Sequence, residues 1–186
     1  MSHLRLELST GVVDVYDNIV PKHLALKVNN FLVDECGYFI GWKDQTDKDP
    51  HLHAVLPDAN RLQFDLIGLL EDRPEMLERF KGLKKRTTIA NLSTASSIHH
   101  MHTHPYDDVV ILYYANLEWQ DHWEGETMFF AEDGEIELTS KYTPGRIMVF
   151  DAKMPHTIRA QSPAGPPFRF SISMFWKKTN EPTTEN

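Results

Sequence analysis

From position 87 onward the chain is a succession of short apolar runs broken by turn residues, and this pattern limits its fold more than any other feature. Runs at 87–92, 98–103, 109–114, 126–130, 135–138, 146–150, 156–159 and 168–175 are each strand-sized, with turn residues between them. The first half reads differently. Residues 3–16 alternate apolar and polar around Thr10-Gly11, which predicts a hairpin. Pro21 opens a helix carrying Leu24, Val28, Phe31 and Leu32 on one face. Residues 36–42 read as a strand and 43–60 as a polar, proline-punctuated loop. Asn60 then caps a helix through Leu62, Phe64, Leu66, Leu69 and Leu70. Pro74 starts another helix that runs to about Lys85, with Met76, Leu77 and Phe80 inward. Helices followed by about eight short strands predict an α+β chain: an antiparallel barrel or sandwich with helices packed outside.

A length of 186 residues suits one domain, expected over 1–176, with 177–186 a polar tail. The formal net charge of −8 argues against nonspecific nucleic-acid binding, which needs clustered cations on phosphate. The one basic run, Lys81 to Arg86, is expected to decorate a helix end. One cysteine, Cys36, excludes an intramolecular disulfide framework, points to a reducing compartment and reads as a small core hydrophobe. Without a signal-peptide pattern or a run of about 18 apolar residues, no membrane association and a cytoplasmic location are expected.

Four of the ten histidines fall between positions 99 and 104. On a strand, side chains alternate faces, so His100, His102 and His104 share one face. Imidazole is the commonest protein ligand for iron, zinc and copper, and an i, i+2 pair can converge on one ion. The competing reading is a solvent-facing strand that happens to be histidine-rich.

Downstream, Val109 to Tyr114 leads to Ala115-Asn116 and Trp119, and Gly125-Glu126-Thr127 follows. Pro144-Gly145-Arg146 then opens an apolar strand before Met154-Pro155-His156, and Arg169-Phe170-Ser171 starts the last strand. In this order, residues 90–176 resemble the iron(II)/2-oxoglutarate-dependent dioxygenases, in particular their prolyl-4-hydroxylase-like branch. The resemblance implies a double-stranded β-helix, a jelly-roll or cupin-like barrel with flanking N-terminal helices. It further implies Fe(II) and the cosubstrate 2-oxoglutarate, with ascorbate as an accessory, and hydroxylation of a small-molecule or peptide substrate.

By that resemblance the metal is held by His102 and His156, and the site lies within 100–171. Arg169 binds the far carboxylate of 2-oxoglutarate, helped by Ser171 and by the hydroxyl of Tyr114; an arginine offers that carboxylate a planar, bidentate fork. Arg159 competes for the same role. Arg146 is expected to be structural, paired with a carboxylate of the barrel. Trp119, Glu126 and Thr127 line either the mouth or the core.

One position departs from the family pattern. A carboxylate should stand two residues after the first histidine, yet His104 is there. Asp107 and Asp108 follow in a turn where solvation is expected, with ligation of the iron by either as the alternative. Three histidines, His102, His104 and His156, then form the ligand set, with one more unit of positive charge than the usual set. A cupin-type three-histidine metalloprotein acting without 2-oxoglutarate remains open, as does a non-catalytic barrel. Against the cupin stand the separation of Gly145 from His156 and the Arg169-x-Ser171 pair. His51 and His53 are expected at the surface of the 43–60 loop, with reach to the mouth of the site as the alternative. The substrate and the oligomeric state are not legible.

Overall fold

The computed structural model describes residues 2–41 and 51–179. In chain order its elements are β1 (Ser2–Leu8), β2 (Gly11–Asp17), α1 (Lys22–Asn30) with a π-helical turn over Phe31–Glu35, β3 (Phe39–Gly41), β4 (His51–Val55), α2 (Leu62–Glu71) and α3 (Pro74–Arg79). The remaining strands are β5 (Leu83–Ser93), β6 (Val109–Tyr114), β7 (Thr127–Phe130), β8 (Ile136–Ser140), β9 (Ile147–Asp151), β10 (His156–Ile158) and β11 (Arg169–Lys178), with a 3-10 turn (Asp121–Trp123) between β6 and β7. The strands form an eight-stranded sheet, order β1-β2-β9-β6-β11-β5-β4-β3, and a three-stranded sheet, order β10-β7-β8, antiparallel throughout. This is a double-stranded β-helix: a major and a minor sheet facing each other, with the helices on the outer face of the major one.

β6 reads VVILYY without alternation because both of its faces are covered. Val109, Ile111 and Tyr113 pack with Leu24, Val28, Leu32, Leu66, Leu70 and Met76 of the helices. Val110, Leu112 and Tyr114 turn into the barrel beside Phe129, Met148, Phe150 and Phe175. Burial pushes the Tyr113 hydroxyl up to about 12. On β11 the same alternation sends Phe170, Ile172 and Met174 to the helices. Arg169, Ser171 and Ser173 consequently face inward, and a polar strip crosses an otherwise apolar interior.

The first-half expectations hold for the hairpin, for α1 and for α2, whose Leu62 amide donates to Asn60 Oδ1 at 3.0 Å. Others are corrected. Helix α3 ends at Arg79 rather than about Lys85, and Leu77 is exposed. Arg79 is drawn sideways into a buried ion network: it donates to Asp14, to Val12 O at 2.8 Å and to Asp151 at 2.9 Å. Gly82, at φ +71°, then turns the chain into β5. The basic run therefore lies mostly on a strand, where Lys85 pairs with Asp58 and Arg86 with Asp107. Within the expected 43–60 loop, residues 51–55 are β4; positions 42–50 lie outside the described residues, as do 180–186 of the expected tail. β11 takes in Lys177 and Lys178. Arg146 does pair with a barrel carboxylate, gripping Asp17 at 2.8 and 2.9 Å. Among the described residues no helix is long and apolar enough to cross a membrane.

Candidate metal and cosubstrate site

The segment around the clustered histidines is not the strand expected over 98–103. A turn closes at Thr94–Ser97 (Ser97 N to Thr94 O, 3.0 Å), Pro105 lacks an amide, and the facing strand β10 has three residues. Only His102 pairs, in an antiparallel bridge with His156 whose two backbone hydrogen bonds are both 3.0 Å. The His104 amide donates to Ala152 O at 2.7 Å, which pins the next i+2 position to the end of β9. His100 is exposed.

These anchors bring His102, His104 and His156 together. One nitrogen from each lies within 4.8 Å of the others, and the ring centroids are 4.5–5.0 Å apart. Phe150 and Phe175 pack edge-on against His156 and His104. His102 Nδ1 faces His100 O at 2.9 Å and His156 Nδ1 faces Met154 O at 2.8 Å. A carbonyl only accepts, so each Nδ1 carries the proton and each Nε2 the lone pair a metal needs. The donor set therefore fits a divalent transition metal in its chemistry, with the three nitrogens already gathered at one point of the interior.

Neither nearby aspartate joins the cluster. Asp107 is buried, not solvated, because Arg86 holds it through two bonds of 2.7 Å. Asp108 accepts from the Lys178 amide at 2.8 Å.

Arg169 is among the largest fully buried side chains. Its Nε donates to Gly125 O at 3.0 Å, while both terminal nitrogens are buried without a partner. The guanidinium lies over the rings of Tyr142, at 4.6 Å, and Tyr114, at 5.4 Å. Burial pulls its pKa down, opposed by the nearby tyrosines and Glu126. A guanidinium held dry with no carboxylate hydrogen-bonded to its terminal nitrogens calls for an anion. Ser171 Oγ, one strand step along, is likewise buried without a partner. Tyr114 donates to Thr127 Oγ1 at 2.7 Å. Arg159, by contrast, is half exposed and pairs with Glu124 at 2.6 Å.

A narrow cavity of about 50 Å³ is lined by the three histidines, Thr127 and Ser171, with Arg169 one strand step beyond its Ser171 wall. It is also lined by His51, His99, Asn91, Ser93 and Ser173, which the sequence pattern alone did not place there. His51 sits on β4, and His53 is buried against Phe39, so the surface role expected for that pair does not hold. Tyr142, stacked on Tyr114 at 4.5 Å, was also missed. The period-two polar residues of β11 and β5 carry a signal for the inward serines and Asn91, since polar residues on a doubly covered strand must face a cavity. Nothing local marks Tyr142. Trp119 packs on Tyr142 and donates to Glu124 O, and Glu126 lies 3.8 Å from Arg159, so both flank the arginine rather than the histidines.

The two facing sheets, with a histidine cluster at one end of the interior and a buried arginine further along β11, define a double-stranded β-helix of the type found in 2-oxoglutarate–Fe(II) oxygenase structures. Among solved structures, the chain is similar to a prolyl hydroxylase from Trichoplax adhaerens in complex with a hypoxia inducible factor peptide (TM-score 0.71, 12% identity, covering 89% of this chain and 83% of that one). It is similar to HygX from Streptomyces hygroscopicus with nickel and 2-oxoglutarate bound (0.68, 13%, 92% and 84%). It is also similar to a Pseudomonas putida prolyl-4-hydroxylase (0.66, 14%, 90% and 92%). No protein-family model and no curated protein sequence matches the chain.

Proposed function

We propose that this protein is an Fe(II)- and 2-oxoglutarate-dependent oxygenase that hydroxylates a small-molecule or peptide substrate. The observation that carries the proposal is Arg169: a fully buried guanidinium with two unpartnered nitrogens, in the same barrel interior as a three-histidine cluster. A buried cation by itself would suit any anion, and three histidines by themselves any of several metals. Together they match the two ends of a dianion that chelates a metal at one end and needs a cation at the other.

His102 and His156 hold the metal through Nε2, and His104 through the ring nitrogen that faces them. Bound there, iron supplies the oxygen activation that amino-acid side chains cannot perform. Three neutral imidazoles leave its two charges uncompensated; one carboxylate of 2-oxoglutarate offsets part of that charge and the other pairs with Arg169. Arg169 grips the far carboxylate with the terminal nitrogens that now lack partners, and Ser171 donates its hydroxyl beside them. Tyr114 acts through Thr127: the threonine Oγ1 accepts a hydrogen bond from the tyrosine hydroxyl and keeps its own proton to donate into the cavity. Phe150, Phe175, Val110 and Leu112 keep the reacting end dry. The likeness in fold to HygX, solved with nickel and 2-oxoglutarate, and to a prolyl hydroxylase solved with a peptide supports both the cosubstrate and the breadth of the substrate class. We further take residues 1–176 as one unit acting in the cytoplasm, with ascorbate as accessory reductant.

A cupin-type three-histidine metalloprotein is the second reading, favoured by one observation: His104 occupies the carboxylate position while Asp107 and Asp108 are engaged elsewhere. Calorimetric titration of 2-oxoglutarate into metal-loaded protein separates the two. The oxygenase binds it, and binding falls sharply in Arg169→Met and in His156→Ala. A metal-loaded protein that ignores 2-oxoglutarate is the cupin.

A further inference from the structure

We infer that Asn91 is an outer-sphere ligand of the metal: its amide oxygen accepts a hydrogen bond from the metal's own water and stands in for the carboxylate the histidine cluster lacks. The inference rests on the reading of His102, His104 and His156 as metal ligands. Asn91 lies on β5 directly opposite Ser171 of β11, on the inward face of the major sheet. It is 7% exposed and lines the same cavity of about 50 Å³ as all three histidines. Groups on the wall of so narrow a space face whatever binds at the histidines.

The amide is oriented by its nitrogen. Asn91 Nδ2 donates to Ser173 Oγ at 3.1 Å and, at the limit, to Ile89 O at 3.5 Å. This leaves Oδ1 buried with no hydrogen-bond partner. Buried amide oxygens without a donor are rare and unfavourable, so a ligand is expected to supply one. 2-Oxoglutarate cannot, because near neutral pH it offers acceptors only. The Nδ1 protons of His102 and His156 are spent on backbone carbonyls. Water on a divalent cation is strongly polarised and a stronger donor than the Ser171 hydroxyl, the other uncommitted donor on this wall. Among the described residues no aspartate or glutamate lines the cavity, which makes the amide oxygen its best uncommitted acceptor. Its negative dipole end offsets part of the charge that three neutral imidazoles leave on the ion.

The test uses Co(II) alone on the intact chain, without 2-oxoglutarate. Affinity is read by competition with a chelator and geometry from the visible spectrum. Asn91→Leu, which removes the acceptor at similar size, is expected to weaken Co(II) roughly 10- to 100-fold, the usual range for outer-shell partners. Asn91→Asp is expected to tighten it and shift the spectrum. Ser173→Ala, which releases the amide plane, is expected to weaken it by less than Asn91→Leu. If Asn91→Leu does not fold, the other two variants decide. Wild-type affinity and spectrum in the variants overturn the inference and leave the histidine reading standing. So does an Asn91→Leu that loses 2-oxoglutarate binding while keeping Co(II), since the amide then serves the cosubstrate. A wild-type protein that binds no Co(II) overturns both.

Discussion

Replacing Arg169 with methionine separates what this residue does for folding from what it does for binding. In the ligand-free protein the guanidinium makes one hydrogen bond, to Gly125 O, and lies over two tyrosine rings. Losing a charged hydrogen bond costs about 1.5–3 kcal/mol, and losing desolvated cation–π contacts about 2 kcal/mol. Against this, methionine removes a buried charge whose two terminal nitrogens have no partner, a penalty of several kcal/mol. The terms offset, so Arg169→Met should change ligand-free stability by less than about 2 kcal/mol, with Tm moving only a few degrees for a chain of this size. Binding behaves differently. Two charge-assisted bonds to a carboxylate are worth roughly 3–6 kcal/mol together, or about 10²- to 10⁴-fold in affinity for 2-oxoglutarate. The assay is thermal unfolding of the Fe(II)-loaded protein under argon as 2-oxoglutarate rises. At a hundredfold excess over Kd the ligand adds about 2.7 kcal/mol to the wild type, a shift of roughly 5–11 °C, and at most about 0.4 kcal/mol, under about 2 °C, to the variant at the same concentration. A variant that shows the full shift refutes the cosubstrate role. A ligand-free variant destabilised by more than about 4 kcal/mol shows that Arg169 is chiefly a structural post, since losses that large come from a short list of structural causes.

Three further outcomes follow from the geometry. His104→Ala should weaken Fe(II) at least tenfold, and His104→Asp should restore or exceed wild-type affinity by supplying a carboxylate at the same anchored position, both read by chelator competition. Gly125→Ala should lower stability by about 1–3 kcal/mol in denaturant titration and weaken 2-oxoglutarate several-fold: its φ is +82°, and a Cβ would sit 3.2 Å from Trp119 and 3.3 Å from Arg169 Cδ. Tyr113, raised from 10.0 to about 12 by burial, stabilises the fold fully below pH 10, and that contribution is lost as pH rises to about 12. The loss is on the order of 3 kcal/mol, and Tyr113→Phe should flatten that part of the stability profile.

Much of the barrel was legible because its strands are doubly covered. VVILYY has no polar face to confuse its period, and RFSISMF carries its polar residues at period two, so the inward strip of Arg169, Ser171 and Ser173 could be read from spacing. The helix ends were less legible. Arg79 looks like an ordinary last-turn cation, and only the fold brings it to Asp14 and Asp151 from other elements. The histidine segment shows the same limit. Period two suggested a full strand, but its partner β10 has three residues, so pairing stops at His102 and His100 swings out to solvent. What survived is the i, i+2 relation of His102 and His104, kept by separate backbone anchors. His51, Asn91 and His99 reach the cavity from β4, β5 and the segment after β5, and adjacency across strands of that kind leaves no local trace.

The most direct test of a shared metal and cosubstrate site is anaerobic titration of the protein with Fe(II) and then 2-oxoglutarate, followed by visible absorption. A weak charge-transfer band is expected that needs metal and cosubstrate together, is lost in His156→Ala and shifts to far higher 2-oxoglutarate concentrations in Arg169→Met. No band in the wild type, or a band with unchanged concentration dependence in Arg169→Met, would contradict the assignment.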